Sequence, residues 1–138
     1  MEQRMHQIGE VADAVGLSLR TIRYYEEAEL VLPSGRSAGG FRLYTDNDIE
    51  RLRLVKQLKP LDLTIEEMRD LLSVRDQLAD QRLSRRARDG LIERLTMFAE
   101  LTDDRCQRLR DQLAAGEALG KTLRHEIKVS SGKAQPRR

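Results

Sequence analysis

Apolar residues recur along this chain at helical spacing, in short blocks and then in one long one. Ile8, Val11, Ala12 and Val15 share a face, predicting a first short helix. Gly16 ends it by accepting a left-handed backbone, and Ser18 is placed to cap a second helix. In that helix Leu19, Ile22 and Tyr25 are predicted to point inward. Arg20, Arg23, Tyr24 and Glu27 share another face. Pro33 stops the pattern. Ser34 to Gly40 carries three glycines among small residues and reads as a turn or hairpin tip. Phe41 to Tyr44 is short and alternating, as a small strand would be.

Thr45 with Asp48 opens a third helix, whose buried stripe is Ile49, Leu52, Val55 and Leu58. Lys59-Pro60 interrupts it, because the residue before proline avoids the helical region. Thr64-Ile65-Glu66-Glu67 is a full capping-box pattern, and Ile65, Met68, Leu71 and Leu72 follow on a fourth helix. Two helix-turn-helix units therefore flank one glycine-rich wing.

From Ser84 to Leu119 only Gly90 and Gly116 weaken a helix, which would be on the order of 50 Å long at ~1.5 Å per residue. Ile92, Leu95, Ala99, Thr102, Cys106, Leu109 and Leu113 alternate by three and four, the coiled-coil spacing. Leu91, Phe98 and Leu101 broaden the stripe. No later segment is long and apolar enough to cover it, so a second copy is the expected cover. The predicted organisation is 1–75 for the helix-turn-helix and wing, 76–120 for the dimerisation helix, and 121–138 for a basic, disordered tail.

Composition sharpens this picture. Aromatic residues make up 4% of the 138 and charged residues 35%, which favours a mainly helical protein with modest cores. No apolar run approaches the roughly 20 residues of a membrane span, and no signal-peptide core opens the chain. The expected compartment is the cytosol, and the single Cys106 fits a reducing one. The net charge of +2 hides an asymmetry. From Lys121 onward six basic residues face one acid, a net +5, which leaves −3 on the rest. Bulk charge therefore does not argue for nucleic acid, and the case rests on where the arginines stand.

Arginine can donate two parallel hydrogen bonds to the acceptor edge of guanine, or clamp a phosphate. Threonine offers a hydroxyl and a methyl, and tyrosine extends a hydroxyl to a phosphate. Arg20, Thr21, Arg23 and Tyr24 on one short helix suit a major groove, with Arg36 and Arg42 on the wing beside it. No acid falls between Ser18 and Tyr25, or between Leu30 and Thr45, so both arginine clusters read as locally unopposed. A solvated helix face and an ordinary loop would carry the same residues, but the spacing favours the DNA-binding reading over that one.

Ile8-Gly9-Glu10-Val11-Ala12, Val15-Gly16-Leu17-Ser18, Thr21-Ile22-Arg23-Tyr24-Tyr25-Glu26, Leu30 and Phe41-Arg42-Leu43-Tyr44 resemble the MerR family of bacterial transcriptional regulators. The similarity continues through Asp48, Ile49, Leu52 and Leu63 to Glu67. It implies a mainly α fold: a winged helix-turn-helix DNA-binding domain with a small β wing, then a long antiparallel coiled-coil dimerisation helix. It implies Ser18, Arg20, Thr21, Arg23, Tyr24, Arg36, Phe41, Arg42 and Tyr44 as DNA-contacting residues. It implies double-stranded promoter DNA, a second copy and RNA polymerase as partners, with the promoter bent and untwisted. Two positions depart from the family pattern: Phe41 where tyrosine is commoner, and Asp62 where glycine is.

Metal sensors of that family carry several cysteines near the dimer helix. Here Cys106 lies well inside the helix, and His6 and His125 stand at opposite ends, so no metal or other cofactor is expected. Cys106 reads as a small apolar seam residue. A contact with its copy would need it near the crossing point, which the Ser84–Leu119 span places nearer Leu101. A small-molecule effector stays open, with Leu71, Leu72 and Phe98 as a candidate lining. No nucleophile–base set or phosphate loop is present, which speaks against an enzyme. The alternative function is an effector-independent architectural or developmental DNA-binding protein.

Overall fold

The computed structural model describes residues 4–133 of the chain. The order is β1 (His6–Gln7), α1 (Ile8–Val15), α2 (Leu19–Glu27), β2 (Gly35–Arg36), β3 (Arg42–Tyr44), α3 (Asp46–Leu58), a 3-10 turn (Lys59–Leu61), α4 (Ile65–Leu78) and α5 (Arg85–Lys133). Two compact units divide inside α5, between Ala99 and Glu100.

The first unit is built from the expected punctuation. Gly16 adopts φ +76°, and its amide bonds back to Ala12. The Ser18 hydroxyl accepts the Thr21 amide at 3.0 Å. Thr45 and Thr64 each open a helix with both arms of a capping box, to Asp48 and Glu67 respectively. Asp62 takes φ +57° after the 3-10 turn. The expected departure at Asp62 does not break the left-handed turn, since a short polar side chain tolerates that region better than most.

Val11, Ile22, Val31, Tyr44, Leu52, Val55 and Val74 form the innermost core, with Tyr25 packed beside them. Ile49, Leu58, Met68, Leu71 and Leu72 are buried as their spacing predicts, while Ile65 is only half-buried. Leu19 departs from its prediction and is 40% exposed. It stands on the first turn of α2, outside the patch that Ile22 and Tyr25 press into the core.

The sheet has the order β1-β3-β2, all antiparallel, pairing His6 with Tyr44 and Arg36 with Arg42. Two of its strands were absent from the pattern-based reading. A two-residue strand shows no alternation, so only its pairing with β3 reveals it. Between β2 and β3 the hairpin tip closes through Ser37 and Phe41, with Gly40 at φ +82°.

The second unit is the part of α5 from Glu100 onward. The helix continues to Lys133, so the disordered tail predicted from residue 121 is corrected to helix through that position; 134–138 lie outside the described residues. No proline intervenes before Pro136, and Leu119, Lys121, Leu123, Arg124 and Lys128 are good helix formers. Glu117 four residues before Lys121 also supports the helix. No helix among the described residues is long and apolar enough to cross a membrane.

Candidate nucleic-acid interface

The α2 helix puts Ile22 and Tyr25 in the core and leaves Arg20, Arg23 and Tyr24 outside. Tyr24 is 51% exposed, its ring tilted against Tyr25 with centroids 5.8 Å apart. Arg20 and Arg23 have no acidic partner within ion-pair distance among the described residues. Thr21 is half-buried and shares a 2.8 Å hydroxyl–hydroxyl bond with Ser18, so both hydroxyls are held at the start of the helix.

Beside this face runs an open cleft of about 440 Å³ lined by Arg20, Thr21, Tyr24 and Tyr25 from α2, Lys59 from the 3-10 turn, and Ile65 and Met68 from α4. Lys59 was missed as a site residue because its signal, a lysine before proline, marks only a helix end. The fold carries it across the cleft to the arginine face. Side chains from other helices cap the ends of α1 and α2. Lys56 Nζ donates to the Val15 carbonyl at 2.9 Å, and Arg69 donates to the Ala28 carbonyl. Each neutralises a carbonyl left over at a helix C-terminus.

The wing corrects the sequence reading in two places. Arg36 and Arg42 are not unopposed. Arg36 Nη2 meets Glu26 Oε1 at 3.2 Å, and Arg42 Nε donates to Glu26 Oε2. The acid lies in neither sequence window that seemed free of them; the fold brings it from the last turn of α2. That hydrogen bond raises the Arg42 pKa further above its already high value. Tyr44 is the second correction, because it is wholly buried and belongs to the core. Its hydroxyl has no hydrogen-bond partner among the described residues, and burial pushes its pKa up. Phe41, by contrast, is 66% exposed at the wing tip.

His6 anchors the wing sheet to two helix starts. Its Nδ1 meets Glu10 and its Nε2 meets Asp46, both at 2.7 Å. The Glu10 bond first, and the Asp46 bond next, raise the imidazole pKa above the usual 6.5. Asp48 is buried and accepts the Ser34 hydroxyl and the Thr45 amide, joining the wing's entry to α3.

Of the residues expected to line an effector pocket, Leu72 lines a polar cleft between α3 and α4, where Arg51 grips Asp76 at 2.6 and 2.8 Å. On α5, Leu91 is buried within the first unit, while Ile92, Leu109 and Leu113 are exposed and Leu95, Phe98, Thr102 and Cys106 are half-buried. The middle of Arg85–Lys133 falls at Leu109, so Cys106 lies nearer the helix midpoint than the shorter predicted span placed it.

Residues 7–74 match the MerR HTH family of regulatory proteins. The chain is 41% identical over 71 residues to the HTH-type transcriptional regulator ZntR of Escherichia coli K12, a match that covers 51% of this chain and half of that one. It is 32% identical over 130 residues to HmrR of Sinorhizobium medicae, covering 94% of this chain and 79% of that protein. Among solved structures, HiNmlR, a MerR family regulator lacking the sensor domain and bound to promoter DNA, superposes with a TM-score of 0.70 at 22% identity, covering 93% and 94% of the two chains.

Proposed function

The chain belongs to the MerR family of helix-turn-helix regulatory proteins, and from that premise we propose that it is a dimeric, sequence-specific DNA-binding transcriptional regulator that bends and untwists promoter DNA. The observation that carries this reading is the outer face of α2, where Arg20, Arg23 and Tyr24 stand exposed on a capped helix beside a wing and neither arginine is ion-paired among the described residues. A helix of this size fits the major groove of B-DNA. Arg20 is assigned to a base edge, Arg23 and Tyr24 to backbone phosphates, and Lys59 adds a phosphate contact across the cleft. Ser18 and Thr21 hold the helix start, where backbone amides favour an anion. Phe41 at the wing tip offers an apolar contact to the sugar edge.

Two copies paired through α5 would present two such helices at a set separation, which a deformed duplex would then have to meet. Protein contacts would offset a deformation cost of several kcal/mol by elastic estimates. RNA polymerase is the partner that would read the deformed promoter.

The test is a footprint at binding sites selected from genomic DNA. A short two-fold symmetric site within a promoter spacer is the expected result. Extended or head-to-tail protection would instead favour an architectural protein. Arg20→Ala should cost roughly 1–3 kcal/mol on the selected site and relax its specificity. An equal loss on random duplex would remove Arg20 from base reading.

A further inference from the structure

Glu26 sits on the last turn of α2, between the exposed arginine face and the wing. Its carboxylate receives both wing arginines, one on each oxygen. Those arginines face each other directly across the hairpin, Arg36 opposite Arg42. Like charges in that position repel, so the acid between them does more than fill space. The two partners are not equivalent. The Arg42 side chain is 29% exposed and Glu26 18%, while Arg36 is 51% exposed and also reaches the Gly40 carbonyl at 3.1 Å.

We propose that Glu26 is a positioning residue: it fixes the wing to the groove helix through Arg42 and holds Arg36 as a cation to be handed to a backbone phosphate when a duplex docks. The proposal rests on the DNA-binding reading above. Moving Arg36 from carboxylate to phosphate exchanges one charge-assisted bond for another at a solvated site. Moving Arg42 would pull a partly buried guanidinium off a partly buried carboxylate and leave Glu26 only the more exposed Arg36, which is more costly. The wing therefore offers the duplex one transferable cation rather than two. In the free protein that cation is masked, which restrains binding to random sequence.

The experiment titrates the full chain into a random-sequence duplex and into a site selected from a random pool, at several salt concentrations. Failure of the wild-type chain to bind either duplex would strike down the DNA-binding reading itself. With wild-type binding present, Arg36→Ala should lower the salt slope by about 0.9, the value of one phosphate contact, with an unchanged melting temperature. Glu26→Gln should raise affinity for the random duplex about three-fold or more and narrow the ratio between the two duplexes. The Arg42 Nε proton should stay slow to exchange in free and bound protein, while the Arg36 guanidinium signals move on binding. If Glu26→Gln melts the domain, Glu26→Gln with Arg42→Met removes both inner charges and carries the same expectation. A wild-type slope in Arg36→Ala overturns the proposal. So does a wild-type affinity ratio in the folded Glu26 variant.

Discussion

His6 is held by two carboxylates, and the sign of its effect on stability follows from that. Its folded pKa lies above the usual 6.5, so its contribution is complete below about pH 6.5 and is lost as pH rises through the raised value. Between about pH 5.5 and 8.5 the melting temperature of the wild-type chain should fall relative to that of His6→Gln. Parallel curves for the two proteins would remove the imidazolium from this role. Tyr44 poses the opposite case, a buried hydroxyl without a hydrogen-bond partner among the described residues. Tyr44→Phe should leave stability unchanged or raise it by up to about 1 kcal/mol, with DNA affinity unaltered. Loss of affinity with unchanged stability would return Tyr44 to the interface. Neither role was legible in the sequence. His6 lies 40 residues from Asp46 along the chain, and Tyr44 ends a short motif that opens on the exposed Phe41.

At the scale of single elements the sequence was far more informative, because caps and turns are local. Gly16, Ser18, Thr45 and Thr64 all act where their neighbours along the chain say they should. The α1–α2 turn shows why glycine is needed there. A Cβ on Gly16 would approach Lys56 Nζ to 2.9 Å, at a φ of +76° that strains any L side chain. Gly16→Ala should therefore destabilise the first unit by roughly 1–2 kcal/mol, measurable by urea unfolding. A change under ~0.5 kcal/mol would show that Lys56 swings aside and that the backbone relaxes with it. The end of α5 was the element misread. Basic and small residues suggested a tail, but helix propensity over the whole stretch outweighed local composition.

For the whole molecule, the exposed apolar positions of α5 carry the expectation of a second copy. Ile92 is 48% exposed, Leu113 63% and Ile127 64%, a length of apolar surface that a lone helix leaves in water. Leu95→Glu combined with Leu109→Glu should reduce the mass seen by light scattering to that of one chain and weaken binding to a two-fold site. An unchanged mass would place the contact between copies elsewhere.

The helices, their caps, the wing's place in the chain and the arginine face of α2 follow from residues within a few positions of one another. That is why reading the chain alone recovered them. Which charges are free does not follow in this way. Glu26 reaches Arg36 and Arg42, and Lys59 joins the cleft beside Arg20, only because folding brings distant segments within a few ångströms. Coulomb attraction depends on separation in space, and the order of residues along a chain says little about that.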